Sequence, residues 1–174
     1  AKNLENIEPA FRNADIVSID IGAVRQSEAP ANNNASPNGF YGDEICAISR
    51  YAGISDKVSS FGIYEYNSKY DTHHQTANLI SQMIWYFIDG VFNRKGNQYF
   101  TSSDYLTYEV TLNERVGDIR FFKSKLSEKW WMEITEINHK SVFLRNKMIP
   151  CSYNDYKTAL NGELPERWMK AQSK

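Results

Sequence analysis

The sequence predicts an α/β protein in two parts. Residues 1–100 read as the C-terminal part of a three-layer α/β/α parallel sheet, and residues 101–174 as an antiparallel β-rich extension with short helices. Three observations carry that expectation. Helix-like and strand-like stretches alternate through the first part, the order that builds parallel sheets. Residues 14–21 (Ala-Asp-Ile-Val-Ser-Ile-Asp-Ile) are β-branched and nearly continuous in hydrophobicity, as in a strand covered on both faces. From about residue 105 the pattern changes to clean alternation punctuated by turn residues.

Taken in order, residues 7–13 form a short helix with Pro9 in its first turn, where a missing N–H costs little. The 14–21 strand follows, then a long Asn/Pro/Ala loop over 22–40. Residues 41–52 make a helix with Ile45, Ile48 and Tyr51/Ala52 on one face, and residues 57–66 a second strand. Residues 73–93 make a long helix, with Leu79, Met83, Tyr86/Phe87 and Gly90 at helical spacing. In the second part, 105–112, 118–125, 129–136 and 141–149 are strand-like and predict a meander. Ser152, with Asp155 three residues on, opens a helix to about Leu160; Gly162 closes it, and Pro165 starts a last turn carrying Trp168.

Composition narrows the function classes. A chain of 174 residues can bury roughly 70% of its unfolded surface without staples. Twenty Lys+Arg against 21 Asp+Glu leave a net charge of −1, which gives no electrostatic case for nucleic acid or an anionic membrane as partner. The most apolar stretch, Leu79 to Phe92, is broken by Ser81, Gln82 and Asp89, too polar for a membrane span. Cys46 and Cys151 belong to no metal or disulfide pattern and read as two reduced thiols of a cytoplasmic protein. The polar start, which lacks a leader-like apolar run, leads straight into a strand that wants neighbours. The chain therefore reads as the middle of something larger, with its missing strands upstream. An uncovered strand would make self-association into a homo-oligomer the expected behaviour, unless the extension folds back over it.

Ligands of open α/β sheets gather at the carboxyl ends of strands, which draws attention to Ser18–Glu44. Asp20 ends the first strand, and Glu44 lies in the helix that the loop leads to. Two carboxylates aimed at one pocket suit a divalent metal or a cationic group. The plainer reading keeps Asp20 as a cap and Glu44 as a solvated helix residue. His73 and His74 point in different directions at a helix start and have no acid at i+4, so surface or capping roles suit them, as they suit His139. Trp130-Trp131 with Tyr105, Tyr108, Phe121 and Phe122 form either a core or a ligand platform, the core being the commoner outcome on a meander.

Ser18-Ile-Asp20-Ile-Gly22, then Ala29-Pro30, Pro37-Asn-Gly39-Phe40 and Glu44, resembles the C-terminal half of the ureohydrolases: arginase, agmatinase and formimidoylglutamase. Their pattern there is S-x-D-x-D-x-x-D-P followed by A-P-G-x-G-T-P-x-P-G-G-L-x-x-x-E. Gly62-Ile-Tyr-Glu65-Tyr-Asn67, with Asp71 and Thr76-Ala77, is similar to the family's later D-I-V-E-x-N-P and T-A. The resemblance spans about residues 4–93. It implies a three-layer α/β/α hydrolase whose Mn²⁺ pair activates a water against a guanidino or formimino carbon. It also implies that Asp20 matches the first metal ligand and Glu44 an acid that pairs with the substrate's cationic group. Departures accompany the matches. The second ligand Asp falls on Gly22, the D-P pair on Arg25-Gln26, and G-x-G-T-P on Ala31-Asn-Asn-Asn-Ala35. The family's remaining ligands, a His and an H-x-D-x-H cluster, belong to earlier strands. Two readings result: a piece of an amidine hydrolase, or a non-catalytic relative with a decayed metal site kept for binding or assembly. In both, residues 1–174 alone are expected to be inert and to hold no Mn²⁺.

Overall fold

The computed structural model describes residues 4–96, 102–113, 117–134 and 147–172. It divides into two compact units, Ala1–Gly96 and Asn97–Lys174.

In the first unit a 3-10 turn (Leu4–Asn6) and α1 (Glu8–Phe11) precede β1 (Ile16–Asp20). After a 3-10 turn (Ile21–Ala23) and a loop come α2 (Gly42–Ile54), β2 (Ser60–Tyr64) and α3 (Gln75–Phe92). β1 and β2 pair in parallel, from Ile16 against Ser60 to Asp20 against Tyr64. One apolar cluster joins Val17 and Ile19 to Ile45, Ile48 and Ala52 of α2 and to Leu79 and Met83 of α3. The helical faces read from sequence are therefore the buried ones. The first strand is covered on one face in this chain: Val17 and Ile19 are buried while Ile16, Ser18 and Asp20 are exposed, as expected of a strand whose other neighbours are missing. Its near-continuous hydrophobicity hides an alternation, because Ile16, 69% exposed, belongs to the face that the helices leave open.

The two helices run side by side in the same direction. A Cβ on Gly42 would touch Leu79, whereas near the other end Gly53 abuts the Phe87 carbonyl and the Cα of Gly90. Two arginines tie this layer. Arg50 Nε donates to Asp89 Oδ2 at 2.7 Å, and Arg94 donates to the Gly53 and Val58 carbonyls at 2.8 Å each. The second of these gives the end of α2 a cation to complement its dipole.

The second unit is an antiparallel meander in the order β3-β4-β5-β6. Its strands are Tyr105–Asn113, Gly117–Ser124, Trp130–Ile134 and Lys147–Cys151. Two helices follow, α4 (Tyr153–Leu160) and α5 (Glu166–Gln172). Ser152 caps α4 as read: its hydroxyl accepts from the Asp155 amide, and Asp155 accepts in return from the Ser152 amide at 2.7 Å. The last strand runs on to Cys151 rather than ending at 149, and residues 141–146 of the expected strand lie outside the described residues. β6 carries Pro150, opposite Trp131, and as the last strand of the order it has an edge that needs no N–H at that position. Val110, Ile119, Phe121, Trp130, Met132 and Cys151 form the core, against which Tyr156 and Trp168 pack.

Candidate functional site

The parallel register places the carboxyl ends of β1 and β2 together, with Asp20 opposite Tyr64. Asp20 is exposed, and its Oδ1 accepts the Gly22 amide at 2.7 Å, capping the turn that leads away from the strand. The cap engages one of the two oxygens of Asp20. The carboxylate immediately after Tyr64 is Glu65. It is exposed and holds φ +64°, a left-handed backbone unusual for a residue with a Cβ. Its carbonyl accepts from Asn32 Nδ2 at 3.2 Å. Asn32 itself is 8% exposed and accepts the Asn34 amide at 2.6 Å.

The loop after β1 is pinned at several points. Arg25 and Phe40 exchange backbone bonds with their neighbours across it: Arg25 N donates to the Phe40 carbonyl at 3.1 Å and Phe40 N to Ala23 at 2.9 Å. Gly39 lies so close to Ala23 and Arg25 that any Cβ would sit 2.6 Å from their backbone. The Arg25 guanidinium stacks 3.2 Å over the Tyr41 ring and donates to the Gly39 carbonyl at 3.3 Å, while its buried Nε has no hydrogen-bond partner among the described residues. Farther on, Ala31 N donates to Thr76 Oγ1 at 3.1 Å and Asn67 N to the Ala31 carbonyl at 2.9 Å.

Behind the site, Asp71 is 4% exposed and organises the start of α3. It accepts the Thr76 and Ala77 amides at 3.1 and 2.9 Å and the Tyr66 hydroxyl at 3.1 Å. Burial pushes its carboxyl up. The two amides, the Tyr66 hydroxyl and nearby His74 outweigh that and hold it below the usual carboxylate range. The Tyr66 hydroxyl is raised, first by burial and then by Asp71.

Glu44 stands in the first turn of α2, where its Oε2 accepts the Tyr41 amide at 2.9 Å. It is thus engaged in capping, and among the described residues no hydrogen bond or ion pair joins it to Asp20. His74 occupies the N-cap position of α3 at φ +55° without capping through its side chain, a task that Asp71 performs. His73 borders a cleft of about 500 Å³ beside Glu28, Asp43, Cys46 and Gln75. His139 lies outside the described residues. Sequence reasoning passed over Asn32 as a position that merely departs from a pattern, and over Glu65 as one motif residue among several. The signal for Glu65 is its strained backbone directly after the strand.

An exposed carboxylate at the end of β1 and another just past the end of β2, beside a pinned polar loop, make the sheet's carboxyl edge the candidate ligand site of this α/β protein. The arginase family model matches residues 1–89, and the chain belongs to the arginase family. It is 30% identical over 86 residues to a formimidoylglutamase of Staphylococcus haemolyticus (strain JCSC1435), covering 48% of this chain and 28% of that protein. Among solved structures, Trypanosoma cruzi formiminoglutamase (oxidised, with Mn²⁺, pH 8.5) superposes with a TM-score of 0.50. That match has 19% identity and covers 53% of this chain and 33% of the other. A formimidoylglutamase from Bacillus subtilis gives a TM-score of 0.44 at 23% identity, over 45% of this chain and 25% of that one. The chain thus spans about a quarter to a third of the length of these relatives.

The residues described here do not by themselves fit a metal pair. Gly22 offers no ligand, and a Cβ there would lie 3.1 Å from Asp20 Oδ1 and 3.3 Å from Asn32 Nδ2. Arg25, which the motif resemblance sets against a further acid, carries a guanidinium that stacks on Tyr41. Among the described residues no group of three His, Cys, Asp or Glu could hold a metal ion. Nor, among them, is any helix long and apolar enough to cross a membrane.

Proposed function

We propose that this chain is part of a longer arginase-family protein that cleaves a carbon–nitrogen bond of a linear amidine, a guanidino or formimino group, with water. The observation that carries the reading is the pair of exposed carboxylates, Asp20 at the end of β1 and Glu65 one residue past the end of the adjacent parallel β2, in this family's frame. An amidinium is planar and presents parallel N–H donors, which a carboxylate accepts two at a time. Asn32 has a positioning task here, since its amide fixes the strained backbone of Glu65. Glu44, the sequence's candidate for the same partnership, already accepts the Tyr41 amide with Oε2, as Asp20 accepts the Gly22 amide with Oδ1, and would meet the substrate with its other oxygen. Any Mn²⁺ pair in the whole protein would depend on ligands beyond these residues, and an upstream half of the fold is the expected partner.

Gly22 and the Arg25 guanidinium favour a second reading, in which the frame is kept for binding or assembly and hydrolysis has been lost. The test has two stages. Calorimetry on residues 1–174 should show Mn²⁺ binding no tighter than about millimolar, since tight dinuclear binding needs several anionic and imidazole ligands together. Micromolar binding, or urea release from arginine by this chain alone, would overturn the inert-fragment reading. In the longer protein, hydrolysis of arginine, agmatine or formimidoylglutamate that falls at least about tenfold in Glu65→Gln supports the hydrolase. Amidine binding without turnover supports the second reading instead. Comparing Glu65→Gln with Glu44→Gln decides which acid meets the substrate.

A further inference from the structure

The family match stops at residue 89, and the second unit carries a cleft of its own. Tyr108 of β3, Lys123 of β4, Trp130 of β5, and Tyr153 and Tyr156 of α4 surround about 450 Å³. Small-molecule sites occupy roughly 300–1,000 Å³ and are lined mainly by apolar and aromatic groups with a few placed polar ones. Trp130 is the centre of the wall. Its ring lies 4.8 Å from Tyr156 at 23°, 5.2 Å from Tyr108 at 30° and 5.4 Å from Tyr153 at 40°. Part of this cluster is core, as alternation on a meander predicts: Trp130 is 9% exposed and packs with Phe121 and Met132. Tyr153 is 51% exposed beside it, and Tyr108 and Tyr156 are half-buried along the same cleft, so part of these rings is open to a guest.

The charges at the rim select the occupant. Lys123 Nζ sits 6.0 Å from the Trp130 ring centroid, and Lys157 Nζ 5.1 Å from that of Tyr153. Two acids stand nearby. Glu128 pairs with Lys123 at 3.2 Å from a side chain that is 77% exposed, a contact of the kind that exchanges readily with solvent or a competing anion. Asp155 is already taken by the Ser152 amide and by Arg167 at 3.2 Å. A cationic guest would meet two ammonium groups, and a neutral ring would leave both unused.

We infer that this cleft binds a planar aromatic ring bearing an acidic group, with the ring against the solvent-facing parts of Tyr153, Tyr108 and Tyr156 over the buried Trp130, and the acid drawn to Lys123 and Lys157. A mononucleotide and an aromatic carboxylate share that chemistry. Aromatic stacking supplies ring affinity without sequence or edge readout, and the ammonium groups supply the preference for an anion.

The test is calorimetry on the full chain with adenosine 5′-monophosphate, 4-hydroxybenzoate, adenosine and inorganic phosphate as separate probes. One of the two aromatic acids should bind saturably, at least about tenfold more tightly than adenosine or phosphate, since losing a charge-assisted contact costs about that factor. Which acid binds tells the two sources apart. Tyr153→Ala and Lys123→Gln, both at solvent-accessible side chains, should each weaken it several-fold while the protein stays folded at the assay temperature by circular dichroism, and Lys123→Arg should retain it. Adenosine binding as tightly as its monophosphate, or Lys123→Gln without effect, would overturn the proposal. So would saturable binding of a proline-rich peptide or a single-stranded oligonucleotide but of neither small acid, and so would no binding at all.

Discussion

Replacing Gly53 with alanine tests the packing of the first unit at its tightest point. Alanine favours the helical backbone over glycine by about 1 kcal/mol, so an unpacked helix would gain stability from the change. Here the new methyl would press into the Phe87 carbonyl and stand 3.0 Å from the Cα of Gly90. Backbone atoms cannot rotate away as a side chain does. The helices must separate by a sizeable fraction of an ångström, loosening contacts all along the α2–α3 seam. Overpacking of this kind costs about 1–3 kcal/mol, and the rigid partner argues for the upper end. After the propensity gain, a net loss of about 2 kcal/mol is expected. For a unit of this size that lowers the thermal midpoint by roughly 8–16 °C. Urea denaturation followed by far-ultraviolet circular dichroism should show a lower midpoint with an unchanged slope. Gly90→Ala, whose Cβ would meet the Arg50 carbonyl at 2.5 Å, should behave alike. Gly162→Ala is the contrast. Its methyl meets nothing within 4 Å and only the left-handed φ of +80° opposes it, at a cost of about 1 kcal/mol. A Gly53→Ala variant as stable as the parent would refute the close approach of α2 and α3.

Three other outcomes are expected. Asp71 titrates below the usual carboxylate range, so its contribution is present above the unfolded carboxyl value of about 4 and is lost as pH falls through the lower folded value. Asp71→Asn should therefore be less stable at pH 7 and show a flatter decline in urea midpoint on acidification, whereas a parallel decline would remove Asp71 from the acid response. The Cys46 thiol is pushed up by burial and then by Asp43, so a thiol-specific disulfide reagent should modify it much more slowly in the native than in the unfolded protein, even though it lines the cleft beside His73; equal rates would contradict the packing around it. Asn32→Ala strands the Glu65 carbonyl and the Asn34 amide, which should cost about 1–3 kcal/mol by thermal denaturation, and a neutral result would mean that water takes over both bonds.

What the sequence could disclose followed from how local each determinant is. The Ser152/Asp155 cap and the buried faces of α2 and α3 depend on spacing within one element, and the structure bears them out. The covering of β1 depends on which elements pack against each face, and hydrophobic continuity alone could not tell one buried face from two. Glu44 illustrates a different limit. An acid in the first turn of a helix is favoured by the dipole and the free amides whether or not a ligand exists. Its place in a motif and its place in a cap are therefore the same position, and only the bond to the Tyr41 amide distinguishes what the side chain does. Glu65 lies at the opposite extreme, since left-handed backbone at a residue with a Cβ has little sequence signature. The bond from Asn32 that supports it reaches across 33 positions.

The pairing of β1 with β2 also bears on the order in which the first unit assembles. Their neighbouring ends are fastened by bonds such as the Ser59 hydroxyl to the Asp15 carbonyl, 44 positions apart. Closing a loop of that length costs about 3 kcal/mol beyond the constant term before any strand contact repays it. A parallel pair has no hairpin through which to zip, so α2, lying between the strands in the chain, must supply the apolar surface that draws them together. The isolated helix can flicker in and out within about a microsecond, while the strand register waits on a rarer event. Rate-limiting closure would make Val17 and Ile19 sensitive positions for folding speed, with the capping of α3 by Asp71 mattering mainly to how slowly the finished unit comes apart.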